Sequence, residues 1–179
     1  MHPLRKIVLT RVMALLLISV ALWQQQNGKA GADELPATEA WQAPLAAPLQ
    51  LVNPYFQPNS DYSAGHRGVD YRVKLGDRVF APTDGTIWFS GKVVDRQVVS
   101  IRTRAGDLLE FEPACSDLSV SAEVSAGQPI ATVCQPDVNY RQHCSEQMCL
   151  HFSLRTPAGY LSPLVRYGSL SPTVLLPNN

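Results

Sequence analysis

An all-β fold, an antiparallel sandwich or barrel-like core, is what the 179-residue sequence predicts. Three observations carry that reading. Strand-like runs recur at roughly the 8–12-residue spacing expected of sandwiches and barrels. Residues that favour turns separate them, and no long helical period appears. In chain order, "DRVFAP" and "GTIWFSGKVV" flank Thr83-Asp84-Gly85, a tight-turn signal that suggests a first hairpin. "QVVSIRTR" and "DLLEFEP" flank Ala105-Gly106-Asp107, a second. "GQPIATV" and "CLHFSLRT" complete the set. Phe80, Trp88, Val98, Ile101 and Leu109 are expected to supply much of the core, because aromatic and β-branched side chains pack well on a pleated face.

The flanks read differently. A basic front (Arg5, Lys6, Arg11) leads into an apolar run from Val12 to Trp23, followed by polar and small residues ending in Ala30-Gly31-Ala32. That is the layout of a secretory signal peptide over 1–32, and its apolar run is shorter than the ~20 residues of a membrane span. An uncleaved anchor is the alternative; otherwise the membrane is met only in transit. Residues 33–49 are rich in Ala and Pro and read as an extended spacer. The domain itself is expected over 50–168, with a tail over 169–179.

Cleavage changes the charge. Four of the 15 basic residues (Arg5, Lys6, Arg11, Lys29) and none of the 15 acidic ones lie in 1–32, leaving 11 against 15, a net of −4. Such a chain lacks the basic footprint of a nucleic-acid binder. About 145 remaining residues suffice for one domain with its own core. Export permits disulfides, and Cys115, Cys134, Cys144 and Cys149 allow three pairings.

Two stretches carry chemistry. In "SAGHRGVDYRV", His66 and Asp70 stand four apart, with Gly65 before the histidine and Gly68 between them, so a histidine just before a strand can curl back toward a carboxylate inside it. In "QMCLHFSLR", Cys149 and His151 alternate along a strand and share a face. An aspartate and two histidines are a donor set that zinc hydrolases use, with a fourth position left open.

The order and wording of these stretches resemble the lysostaphin-like, LytM-type zinc metallopeptidases, which cut peptidoglycan cross-bridges. The resemblance runs from about Tyr55 to Gly168. "GHRGVDYRVKLGDRVFAPTDGTIWFSGKV" looks like the family's opening His-x-x-x-Asp block and the two strands after it. "VSAGQPIATV" resembles a later strand, "LHFSLR" the strand that ends the site, and "LSPLVRYG" the closing segment. It implies the family's β fold, a location outside the bacterial cytoplasm or in the cell envelope, and Zn2+ held by His66, Asp70 and His151.

It also exposes two departures. Peptide-cleaving members carry a histidine two residues before the last ligand, where this chain has Cys149, and another in a stretch where this chain has "FEPA", with Pro113 in its place. General acid–base catalysis contributes ~10²–10⁴ in rate, and one oxyanion donor ~10²–10³. A normal hydrolytic rate is not expected. Glu110 and Glu112 share a strand face that reads as solvated. Glu112, His143 (read as an exposed loop residue) and Cys149 are the possible substitutes. Cys149 has three readings: a thiolate fourth ligand, a reactive free thiol, or half of a Cys144–Cys149 disulfide. Export favours the last, which leaves Cys115 facing Cys134.

Three functions follow. The first is an exported zinc-binding domain at the bacterial cell wall whose hydrolysis is impaired, binding peptidoglycan or regulating a wall hydrolase. The second is a working endopeptidase with substitute acid/base residues. The third is a metal-free structural β module.

Overall fold

The structure, a computed structural model, describes residues 41–60, 62–140, 144 and 147–167. The expected signal peptide, His143 and the 169–179 tail lie outside them. The core is all β, as the sequence predicts. Eleven strands are β1 (Leu51–Asn53), β2 (Gly68–Arg72), β3 (Arg78–Phe80), β4 (Gly85–Val93), β5 (Arg96–Arg102), β6 (Leu108–Glu112), β7 (Ala114–Cys115), β8 (Glu123–Val124), β9 (Pro129–Val133), β10 (Cys149–Thr156) and β11 (Gly159–Leu161).

An eight-stranded antiparallel sheet runs β1-β2-β10-β6-β5-β4-β8, with β11 on β10; a three-stranded sheet runs β3-β9-β7. Strand alternation divides the large sheet sharply. Val69 and Tyr71, Leu150, Phe152 and Leu154, Leu109 and Phe111, and Val99 and Ile101 are buried in one core with Val79, Ile130 and Val133 of the small sheet. Phe111 and Phe152 are register partners and stack 4.8 Å apart at 5°. The opposite face carries Asp70, His151, Glu112 and the polar residues described below.

Ile101 and Leu109 are in the core as expected. Val98 is buried, but on the opposite face beside Trp88 and Phe89, whereas Phe80 is half-buried and Trp88 is 49% exposed. The reason is parity. Ile87 faces the core, so Trp88 turns outward, and a register shift between Ile87 and Phe89 brings Phe89 out beside it.

The first expected hairpin does not form. β3 pairs with β9, while β4 pairs with β5 and β8, so Thr83-Asp84-Gly85 carries the chain between sheets. A side chain at Gly85 would lie 2.6 Å from the Arg102 carbonyl oxygen, so only glycine permits this approach to β5. The second hairpin, β5–β6 around Gly106, is present.

The described half of the expected spacer, 41–49, is packed on the domain. Trp41 N donates to Arg166 O at 2.9 Å, Gln42 N to Pro82 O at 2.8 Å, and Phe80 N to Pro44 O at 2.8 Å. Leu45 is buried in the core. Arg166 in turn sits over the Trp41 ring and pairs with buried Asp107 at 3.0 Å.

Both disulfides are present: Cys115–Cys134 and Cys144–Cys149. They close segments separated by 19 and 5 residues, for which loop entropy predicts about 3 and about 2 kcal/mol respectively. Denaturant titration of the two double-serine variants is therefore expected to rank Cys115→Ser/Cys134→Ser as the less stable. The reverse order would show that the short clip acts through native contacts rather than chain entropy.

Candidate metal centre

His66 precedes β2 and is fixed by an isolated antiparallel bridge to Phe56, with reciprocal backbone hydrogen bonds of 2.9 Å. Asp70 lies in β2 and His151 in β10, and the two are direct register partners. Curling back over its own strand, the His66 ring brings Nε2 to 3.2 Å from Asp70 Oδ1 and 3.2 Å from His151 Nδ1. His151 Nδ1 is 2.7 Å from the same Asp70 oxygen. The two imidazoles and one carboxylate expected from the sequence thus meet at one point.

The orientation of each donor is enforced. Pro54 O can only accept, so His66 Nδ1 donates to it, at 2.8 Å, and a neutral ring then turns its Nε2 lone pair inward. Asn53 Nδ2 donates to Asp70 Oδ2 at 2.8 Å, which leaves Oδ1 for the two rings. Gly68 leaves room for the His151 ring, since a Cβ there would stand 2.6 Å from its Cε1 and Nε2 and 2.5 Å from Phe152 O. Asp70 is fully buried, and the His66 and His151 side chains are 20% and 10% exposed, so the centre opens to solvent on the histidine side.

Donor atoms about 2.0–2.1 Å from a tetrahedral zinc ion stand roughly 3.3 Å apart. The two separations from His66 Nε2, 3.2 Å each, fit that geometry, as does the donor set. The 2.7 Å between His151 Nδ1 and Asp70 Oδ1 is hydrogen-bond length and must widen when a metal enters. The hydrogen bond that the protonated ring donates to Asp70, opposed by burial and reinforced by Pro54 O and the Asp70 charge, raises the His66 pKa. A proton and a metal ion therefore compete for the same lone pair.

The remaining candidates are accounted for as follows. Cys149 is disulfide-bonded, so it is neither a thiolate ligand nor a reactive thiol. The disulfide forms one wall of the site, and Asn53 reaches both Asp70 and Cys144 Sγ (3.6 Å). Pro113 is buried immediately after β6. Glu112 is the register partner of His151, and it is buried rather than solvated; its Oε2 accepts from Arg96 Nε at 2.9 Å. The sequence reading missed Asn53 and Arg96. An asparagine in a three-residue edge strand and an arginine after a turn carry no motif, and only the register reveals them.

Glu110 is half-buried on the same face, and burial with the Glu112 charge raises its pKa against the opposing Arg96 and Arg155. The folded state thus binds this proton more readily than the unfolded chain, so its stabilising effect is full at low pH and is lost as pH rises. Glu110→Gln is expected to raise the unfolding free energy at pH 7 by below about 1 kcal/mol after solvent screening, read by denaturant titration. The gain should vanish toward pH ~4; a gain that persists there would assign the effect to packing.

Comparison with known proteins decides the family. Residues 64–163 match the profile of peptidase family M23. The chain belongs to that family. Among curated relatives, uncharacterized protein Rv2891 of Mycobacterium tuberculosis is 31% identical over 127 residues, covering 68% of this chain and 49% of its own length. The chain thus spans about half the length of the curated relatives it matches. Among solved structures, the lysostaphin catalytic domain of Staphylococcus simulans superposes with a TM-score of 0.55 at 18% identity, covering 68% of this chain and 93% of that one. The catalytic domain of the prophage-encoded family M23 protein EnpA of Enterococcus faecalis gives 0.55 at 18%, covering 73% and 98%. At such identities the superpositions establish the β fold of family M23.

Proposed function

We propose that the protein is an exported, zinc-binding member of family M23 that acts at the bacterial cell wall, with peptidoglycan hydrolysis impaired or lost and a binding or regulatory role in its place. One observation carries the reading: three converging donors are kept, while the two neighbouring positions that would handle protons hold a disulfide sulfur and a buried proline. Zinc held by His66, Asp70 and His151 supplies Lewis acidity toward oxygen ligands.

The chain's own residues then do less than a full enzyme requires. His66 and His151 supply donors beside the buried Asp70, held in place by Pro54 O and Asn53. Neither the cystine at 149 nor Pro113 has a proton to give or accept at neutral pH. Glu112 pairs with Arg96, which engages the carboxylate that would otherwise face the site. Two disulfides among the described residues suit an oxidising location outside the cytoplasm.

The test joins metal analysis to a wall assay. The purified chain is expected to hold about one zinc and to co-sediment with purified peptidoglycan without releasing soluble fragments. Fragment release abolished by Asp70→Ala would replace this reading with a working endopeptidase. A chain that binds no zinc and is indifferent to His151→Ala would be a structural module.

A further inference from the structure

A second row of side chains crosses the same face of the large sheet, four residues along β10 from His151, or about 13 Å at strand rise. Tyr160, Arg155, Leu108 and Arg102 are successive register partners on β11, β10, β6 and β5. Alternation aims Arg155 and Arg102 to one side of the sheet, on either side of Leu108. Arg67, next to His66 in the chain, lies over the Tyr160 ring at 5.9 Å. These side chains line an open pocket of about 610 Å³ that has three arginines and no acidic residue in its wall.

The pocket is built rather than incidental. Arg102 is stacked on Trp88, its guanidinium carbon 3.3 Å from the ring centroid, and its buried Nε has no hydrogen-bond partner among the described residues. Among the described residues, neither Arg102 nor Arg155 is in an ion pair. Among the described residues, the acid that faces Arg155 is Glu110, which stands a register step nearer the metal row. Planar guanidinium groups present paired N–H donors that match carboxylate and phosphate oxygens. Three cations gathered at one pocket, on a chain with equal numbers of acidic and basic residues, form a surface complementary to an anion.

We propose that Arg67, Arg102 and Arg155, floored by Tyr160 and Leu108, bind an anionic carboxylate or phosphate group. Only the source of that group rests on the cell-wall reading: a free carboxylate of a stem peptide, or the phosphate of a wall-associated polymer.

Trp88 is a built-in reporter, so inorganic phosphate is titrated into the purified chain while tryptophan fluorescence is followed, with Trp88→Phe as the control for signal origin. Saturable binding is expected, at least tenfold weaker in Arg155→Gln, whose exposed side chain makes unfolding no explanation. Arg102→Gln should weaken it similarly. Asp70→Ala should leave the phosphate affinity within twofold; loss there would assign the anion to the metal centre and overturn the proposal. Competition by a stem peptide or by a glycerol-phosphate oligomer identifies the source. Absence of saturation, or an unchanged affinity in Arg155→Gln, also overturns it. Phosphate binding in a chain that ignores peptidoglycan would sink the cell-wall reading and leave this site standing.

Discussion

Asp70→Ala is expected to lower zinc affinity more than 100-fold, whereas Asn53→Ala should lower it 10–100-fold. The ranking follows from position. Asp70 is fully buried and is the anionic donor that both rings contact, at 2.7 and 3.2 Å. Its removal leaves two neutral imidazoles facing a divalent ion. Asn53 touches only the outer carboxylate oxygen, at 2.8 Å, and groups that orient a ligand typically contribute 10–100-fold. Acid should act in the same direction. Because Asp70 favours the protonated form of His66, zinc must displace a proton, and affinity should fall as pH drops through the histidine range. Chelator competition across pH, with metal content measured directly, checks all three statements. One equivalent of zinc bound within tenfold of the parent affinity by Asp70→Ala would remove the metal centre from this face.

How far the sequence reached depended on whether a feature was local. β10 was legible to its ends, because "CLHFSLRT" alternates cleanly and every second residue must enter the core. The metal trio was legible because two short motifs place donors at fixed positions on two strands, and family order implied that those strands adjoin. Sheet membership was not legible. Thr83-Asp84-Gly85 has hairpin chemistry, yet β3 and β4 find different partners, and a turn signal carries no information about long-range pairing. Composition failed at 41–49 for a related reason. Ala and Pro suit a spacer and equally suit an extended strap whose Leu45 fills a gap in the core. The Glu112–Arg96 pair, Asn53 and the arginine row depend on register, and a single residue's slip would move every one of them to the other face.

If hydrolysis is impaired as proposed, placing an imidazole at position 149 should raise the hydrolytic rate. The variant is Cys149→His with Cys144→Ser, so that no unpaired thiol remains. Position 149 lies on the same strand face as His151, about 6.7 Å along β10, and pairs in register with Arg72. A side chain there therefore projects beside the metal trio, where the cystine now forms the wall. If the absent proton carrier limits the rate, fragment release should become measurable, ~10²-fold or more above the assay background set by the serine control, the lower end of general acid–base catalysis. It should still fall short of an intact enzyme by ~10²–10³, because Pro113 continues to offer no donor to developing charge. Losing the clip costs about 2 kcal/mol, so the melting midpoint must be measured alongside, with Cys144→Ser/Cys149→Ser as the matched control. Adding Asp70→Ala should erase the gain, since the new imidazole acts only beside an intact metal centre. A folded, zinc-loaded Cys149→His variant as inert as its serine control would overturn the idea that the residue at 149 limits hydrolysis.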